Sequence, residues 1–378
     1  MSNDEFDLKE VVNSRLSVRS RFNEIARKNK IDHQNANLDS DNYLSDLLKV
    51  LKIKSVVVGI GGAGNNTVSR MQEIQSDCVE TLNINTDAHD LYYSSANKKI
   101  LIGKDTCNGL GSGNDPEIGA LAAEEDAERL AEVLNADVVF LTYGLGGGTG
   151  TGAAPIIARE AKKNDATVVT FCSIPFSSEG SDRRSRAQRG LKELVKNTDT
   201  LITVPNDNLL KFNGKLPVLS GFKIMDEVLI RSIREILNLI NNCGLINIDY
   251  ADVRKVLEKN GAYPSGLIGI TESLGDENDL INKAHLTLNN PLLEPDPNKI
   301  DKCIVSVSGD HKLSLSKMDR IISTISNEIP KEASLKFGTA LNPSLGAKIR
   351  IMALGRGPIS PYVRAAIDNT EFPNSNLI

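Results

Sequence analysis

The chain has 378 residues, 40% of them apolar and 25% charged, which suits a globular protein with a sizeable core and length for two domains. A net charge of −5 gives no overall electrostatic case for nucleic acid, and no apolar run approaches the ~20 residues of a membrane-spanning helix. The five cysteines include no CxxC pair and the four histidines are scattered, so no zinc pattern is visible and free thiols in a reducing cytosol are expected.

The N-terminus, Met1-Ser2-Asn3-Asp4-Glu5, is acidic and lacks a signal-peptide core, so a cytoplasmic protein is expected. Residues 1–52 read as a partly helical extension. Leu8, Val12, Leu16, Phe22, Ile25 and Ala26 fall at loosely helical spacing, accompanied by Arg15, Arg19, Arg21, Arg27, Lys28 and Lys30. Such a stretch packs one face and solvates the other, or touches an anionic membrane or a partner. Residues 31–42, rich in Asn, Asp and Ser, read as a linker.

From residue 53 short apolar runs alternate with helical patterns. Strands are expected at 55–58, 81–85, 99–102, 137–142, 167–173 and 200–204, with helices between most of them. This alternation predicts a parallel sheet covered on both faces. A long helix follows over 223–242, where Met225, Val228, Leu229, Ile233, Ile236, Leu237 and Ile240 recur every three or four residues. A second block over 247–355 has strand candidates at 267–271, 303–308, 334–338 and 348–354. Tyr263-Pro264 precedes the first of these, at a strand start or edge where proline is tolerated. The tail after Gly355 contains Pro358, Pro361 and Pro373 and is expected to be partly disordered.

Two glycine loops leave the first block's strands. Gly59-Ile60-Gly61-Gly62-Ala63-Gly64-Asn65-Asn66 follows Val56-Val57-Val58 and opens a helix, and Asp87 ends the next strand. Alone, this matches the GxGxxG fingerprint of a dinucleotide site, so an NAD-dependent oxidoreductase is one alternative. The second loop, Gly146-Gly147-Gly148-Thr149-Gly150-Thr151-Gly152, lies between an apolar strand and Ala153-Ala154-Pro155-Ile156-Ile157-Ala158. Its backbone N–H groups and helix N-terminus can close around an anion, and glycine lets phosphate oxygens approach the main chain. A dinucleotide site does not need this second loop, whereas two loops can grip both ends of a triphosphate. No GxxxxGK[ST] occurs and neither loop holds a lysine, so phosphate charge is left to backbone dipoles and Mg²⁺.

The run Gly146 to Gly152, followed by Ala153-Ala154-Pro155, resembles the glycine loop of the tubulin/FtsZ superfamily in the form of its FtsZ branch. Further motifs over about 53–356 follow in that family's order, and the Gly61-Gly62-Ala63-Gly64-Asn65-Asn66-Thr67 form leans towards archaeal members. The resemblance implies an α/β fold: a Rossmann-like parallel-sheet GTPase domain over 53–222, a central helix over 223–246, a smaller α+β GTPase-activating domain over 247–356, and a tail over 357–378. It places GTP or GDP on the first loop, on Asp87 and Ala88 of the second, on Gly113 of the third, and on the glycine run itself. Ser173 and Pro175 join these, with Glu179 on the ribose, Arg183 paired with Glu179 or a phosphate, and Asn206 near the base. Asp115 stands where the family usually has Asn, and its simplest role is to cap the helix opened by Pro116.

Phe222 and Asp226, at i and i+4, share a helix face. A ring there can stack on a purine while a carboxylate accepts the N1–H and N2–H₂ donors of guanine. The resemblance assigns the guanine contacts to Asn66 and Asp226. Asn247-Ile248-Asp249-Tyr250-Ala251-Asp252 is similar to the family's acidic synergy loop, with Tyr250 in place of Phe. Taken alone, Asp249 and Asp252 read as a helix cap. The resemblance makes Asp249 and Asp252, oriented by Asn247, the catalytic acids that enter the next subunit's GTP site in a head-to-tail filament. It further implies a division-ring GTPase at mid-cell, Mg²⁺ held mainly by phosphates rather than side chains, and membrane tethering by partner proteins. No acidic-apolar tether peptide is recognisable in the tail. A GTP-binding filament regulator that does not hydrolyse is the remaining alternative.

Overall fold

The structure, a computed structural model, describes residues 53–373 apart from 75–78, 214, 216, 242–245, 260, 262, 265, 294–295 and 311–312. The extension expected over 1–52 lies outside the described residues.

Six strands form the first sheet: β1 (Ser55–Ile60), β2 (Glu80–Asn85), β3 (Lys98–Leu101), β4 (Val138–Gly144), β5 (Thr167–Ile174) and β6 (Thr200–Pro205). All pair in parallel, in the order β3-β2-β1-β4-β5-β6. Val138, Val139, Phe140 and Leu141 of β4 are all buried, because helices cover both faces of the sheet. This two-sided burial is why the central strands read as unbroken apolar runs.

The helices that matter for the site are α1 (Gly61–Ile74), α2 (Ala88–Tyr93), α3 (Pro116–Glu125), α4 (Thr149–Lys163), α5 (Ser181–Leu194), α6 (Val218–Asn241) and α7 (Tyr250–Leu257). The long helix α6 begins at Val218, earlier than the hydrophobic repeat suggested, and buries Met225, Leu229, Ile233, Ile236 and Leu237. Its two ends are tied to different layers. Asp226 accepts from Thr67 and Arg70 on α1, and Glu235 accepts from Arg350 at 2.7 Å.

Arg350 belongs to the second, four-stranded sheet: β7 (Leu267–Ser273), β8 (Lys302–Gly309), β9 (Ser334–Leu341) and β10 (Ile349–Arg356). Its order is β7-β10-β8-β9, with β10 antiparallel to both neighbours and β9 parallel to β8. β9 is an edge strand and accordingly less buried, with Lys336 on it. Pro264 precedes β7 and costs no ladder bond.

After β10 the chain continues into helix α8 (Pro361–Asp368). Part of the segment expected to be disordered is thus ordered. Tyr362, Val363, Ala365, Ala366 and Phe372 join the core of the first sheet's layer. Ser360 caps α8 through the Tyr362 N–H, and its hydroxyl accepts from Thr203 at 2.6 Å.

Candidate functional site

In a parallel sheet of this order the chain reverses direction between β1 and β4, leaving a crevice beyond their C-terminal ends. Both glycine loops lie there. The first runs straight from β1 into α1, and the second from β4 into α4. Gly61 has φ +67°, and a Cβ on it would stand 3.1 Å from the Gly150 nitrogen, so the loops are in direct apposition. Two helix N-termini therefore face one crevice, where their dipoles add for an anion.

Thr149 joins three loops. Its hydroxyl lies 2.6 Å from the Thr86 hydroxyl and 3.1 Å from that of Ser112. Thr151 accepts from the Gly146 N–H at 2.8 Å and is buried, so it braces the loop from within. Asn65 is likewise committed to the fold: it donates to the Gly59 and Ile84 carbonyls and accepts from Asn85. Gly62, Ala63 and Asn66 are exposed at the start of α1, and the Asn66 side chain makes no hydrogen bond among the described residues.

Asp87, the acid of the fingerprint, caps α2 by accepting from the His89 and Asp90 N–H groups at 2.9 and 3.0 Å. Ala88 follows it, bonded from its N–H to the Gly109 carbonyl. Asp115 caps α3 by accepting from the Glu117 N–H at 2.8 Å, as its position before Pro116 predicts. Gly113 has φ +59° and would carry a Cβ into open space.

Beyond β5, Ser173 accepts the Leu145 N–H on its carbonyl, pinning the second glycine loop to the neighbouring strand. Pro175 is buried. Glu179 pairs with Arg183 at 2.7 Å and accepts from the Phe176 N–H at 2.7 Å. Arg183 also packs against Gly146: a Cβ there would stand 2.6 Å from the Arg183 Cγ. Asn206 is buried at the end of β6, its N–H on the Ile174 carbonyl.

Phe222 is 45% exposed, with its ring edge-on to Phe176 at 6.3 Å. An exposed phenyl held from one side leaves a face for a planar ring. One turn on, Asp226 accepts from the Thr67 hydroxyl at 2.7 Å and from Arg70 at 3.0 Å. Burial pushes its carboxyl above the usual range, against the pull of Thr67 and Arg70. Each carboxylate oxygen keeps a further acceptor direction for a ligand.

Sequence reasoning assigned no individual role to Thr67, Arg70, Thr86, Ser112 or Phe176. Thr67, Thr86, Ser112 and Phe176 lie within the loops that carry the family resemblance, whereas Arg70, more than two turns into α1, has no local pattern to mark it.

Asn247, Asp249 and Asp252 lie elsewhere. The Leu257 carbonyl on α7 accepts from Thr200, the first residue of β6. Tyr250 lies against Thr167, the first residue of β5, and burial pushes its hydroxyl up to about 12. α7 therefore packs on the N-terminal ends of the strands whose C-terminal ends carry the loops around the crevice. An eight-residue strand such as β5 spans roughly 25 Å, so within one chain the acids and the glycine loops are far apart. Asp249 occupies the N-cap position of α7, yet its side chain makes no cap bond and is exposed, as is Asn247. The capping expected from the bare sequence is not made, because no backbone N–H of the first turn bonds to its side chain. Asp252 pairs with Lys336 at 2.6 Å and, more loosely, with Lys255 at 3.9 Å. Among the described residues no cluster of His, Cys, Asp or Glu is arranged to hold a metal.

Comparison with known proteins agrees with this geometry. Residues 54–214 match the Tubulin/FtsZ family, GTPase domain, and residues 265–357 match the FtsZ family, C-terminal domain. The chain is 39% identical to a cell division protein FtsZ of Methanothermobacter thermautotrophicus, over 94% of this chain and 92% of that one. It is 42% identical to a cell division protein FtsZ 1 of Pyrococcus abyssi, over 85% and 86%. A solved structure described as an FtsZ dimer from M. jannaschii superposes with a TM-score of 0.75 at 38% identity, over 85% of this chain and 92% of that one. CetZ2 of Haloferax volcanii, at 23% identity and a TM-score of 0.69 over 84% and 97%, shares the fold.

Proposed function

The chain belongs to the tubulin/FtsZ family and is a guanine-nucleotide-binding cell-division GTPase of its FtsZ branch, and from that premise we propose that it assembles head to tail, each subunit's acidic loop completing the GTP site of the next. The observation that carries this reading is the separation just described. The triphosphate crevice and the exposed Asp249 lie at opposite ends of the same sheet, so the acids of this loop can reach a γ-phosphate only in another copy. Contacts of that kind do not close on themselves and build a filament. The M. jannaschii relative, described as a dimer, is consistent with self-association.

In this reading the free N–H groups of 61–64 and 147–151 cradle the phosphates. Glu179 accepts from the ribose hydroxyls, Phe222 stacks on the base, and Asn66 and Asp226 read its edge. Asp249 and Asp252, with Asn247 beside them, orient and polarise the attacking water. Mg²⁺ bound to phosphate oxygens would offset charge that this lysine-free cradle leaves to backbone dipoles. The dinucleotide alternative loses its footing, since the second glycine loop lines the crevice beside the first and Asp87 is committed to capping α2. We assign the filament to the mid-cell division ring and its attachment to separate membrane-tethering proteins. Among the described residues no helix is long and apolar enough to cross a membrane.

The test is GTP turnover per subunit measured against total protein concentration, with light scattering in GTP, GDP and ATP. A threshold is expected, with turnover rising steeply once GTP-dependent filaments scatter. Turnover per subunit that stays constant far below any assembly threshold would mean that one chain holds a complete site.

Base recognition gives a second expectation. Asp226→Asn should weaken GTP binding by about 1.5–3 kcal/mol and narrow the preference for GTP over ATP. Because burial raises the Asp226 carboxyl, it protonates earlier than an ordinary aspartate as pH falls. The wild type should then lose its GTP-over-ATP preference on acidification, whereas the variant's preference should vary little with pH. Binding curves for both nucleotides across pH decide this, and an unchanged preference in Asp226→Asn removes Asp226 from the base.

A further inference from the structure

Helix α5 holds the C-terminal segment with three side chains spaced one turn apart. Gln188 donates to the carbonyls of Ala365 and Thr370 at 3.3 and 2.7 Å, and Lys192 donates to Asn369 Oδ1 at 2.7 Å. Arg184 donates through Nη2 to the carbonyls of Phe372 and Pro373 at 3.1 and 2.9 Å. At i, i+4 and i+8 the three share one helix face.

Arg184 also reaches in the other direction. Its Nη1 donates to the Ser177 hydroxyl at 2.8 Å. Ser177 lies in the loop between Pro175 and Glu179, and its N–H and hydroxyl both donate to Asp207, the N–H at 3.0 Å to Oδ1. Asp207 is buried and directly follows Asn206. Since the guanidinium can only donate, the Ser177 hydroxyl must accept from it and pass its own proton to the carboxylate, which fixes the hydroxyl's direction. The far end of this chain of bonds is firmly seated. Phe372 is buried, with its ring edge-on to buried Tyr362 at 5.2 Å.

We propose that Arg184 is a positioning residue for the ribose end of the nucleotide, and that docking of the C-terminal segment sets the grip of that loop. The inference rests on the assignment of Glu179 to the ribose hydroxyls. While Phe372 and Pro373 hold one side of the guanidinium, its other side orders Ser177 and Asp207. Once the segment is displaced, Arg184 loses two of its acceptors and the loop carrying Glu179 loses its brace. A partner that pulled the C-terminus away from α5 would lower nucleotide affinity, and bound GTP would oppose that partner by the same factor.

The experiment compares affinities for GTP and for 2′,3′-dideoxy-GTP, which lacks both ribose hydroxyls, in full-length protein. Arg184→Met and Phe372→Ala should each lose about fivefold in GTP affinity with little change for the dideoxy nucleotide. Arg184→Lys keeps the charge but cannot span both partners, and should narrow the same ratio with the least disturbance of folding. Glu179→Gln is the control and should narrow it outright. If Glu179→Gln leaves the ratio at its wild-type value, the ribose assignment fails and this proposal with it. If Glu179→Gln narrows the ratio while the Arg184 variants lower only the melting temperature, the ribose assignment stands and the positioning role is overturned.

Discussion

Asp249→Ala is expected to bind GTP with wild-type affinity and to lose turnover by about 10²–10⁴-fold. No part of the nucleotide crevice touches Asp249, which lies beyond the other end of the sheet with its side chain exposed and uninvolved in capping α7. Its removal costs the fold little, because there is no capping bond to lose. Gly147→Arg should do the reverse. A Cβ at Gly147 would meet no atom within 4 Å beyond its chain neighbours, so the start of a side chain is tolerated there, and a long charged one on this loop should block the triphosphate. Each variant alone is expected to be inactive. In an equal mixture, about a quarter of randomly formed head-to-tail interfaces would join an intact crevice to an intact acid loop, and turnover should recover towards that share. Stopped GTP turnover in the separate proteins, followed by turnover on mixing, is the measurement. Two folded, co-assembling variants that stay inactive when mixed would remove the shared site. Asp252→Ala should behave similarly, with a larger stability change because it breaks the pair with Lys336.

The sheet could be read from the sequence because its strands are buried on both faces. Each of the ten strands has a counterpart among the expected apolar runs, most extended by one to three residues in the structure. The residues added at β1, β4 and β5 include Gly59, Ile60, Tyr143, Gly144 and Ile174, where glycines and the approach to a loop dilute the apolar pattern. Asp115 could be read as a cap because the proline after it fixes the first helical position. Helix α8 could not, since Pro361-Tyr362-Val363-Arg364-Ala365-Ala366-Ile367-Asp368 is too short for a clear period and sits among prolines. What holds it is tertiary: Tyr362 and Phe372 fill the core, and α5 binds its carbonyls. The site divides in the same way. Glycine loops and the Phe222–Asp226 spacing are local patterns. Thr67, Arg70, Ser112 and Phe176 gain their roles from partners 37 to 159 residues away or on separate elements, and no local pattern carries that information.

The seven-residue glycine run carries the largest contrast, because its glycines are needed for different reasons. At Gly152 a Cβ would stand 1.9 Å from the Pro116 carbonyl oxygen and 2.7 Å from the Ala120 nitrogen. Both are backbone atoms, so α3 and α4 would have to move apart. At Gly148 it would meet the Asp115 nitrogen at 2.7 Å, and Gly146 has φ +91°. These positions are glycine because the protein's own packing or backbone demands it. Gly147 has neither constraint, as no positive φ and no neighbour within 4 Å explains the missing side chain. In the proposed reading that space belongs to the ligand, whose phosphate oxygens reach the main chain there. Gly152→Ala should therefore destabilise the fold by about 1–3 kcal/mol or more through overpacking, lowering the melting temperature by several degrees. Gly147→Ala should leave the melting temperature of the nucleotide-free protein within about 1 °C of wild type, since a surface substitution with no contacts changes little. It should nevertheless weaken GTP binding at least about tenfold, because one methyl group at the cradle holds a phosphate off the N–H donors that would stabilise it. Thermal unfolding without nucleotide, set beside GTP affinity, separates the two. A Gly147→Ala protein that binds GTP as tightly as wild type would mean that the run serves only the packing of α4, and the phosphates would have to be placed elsewhere.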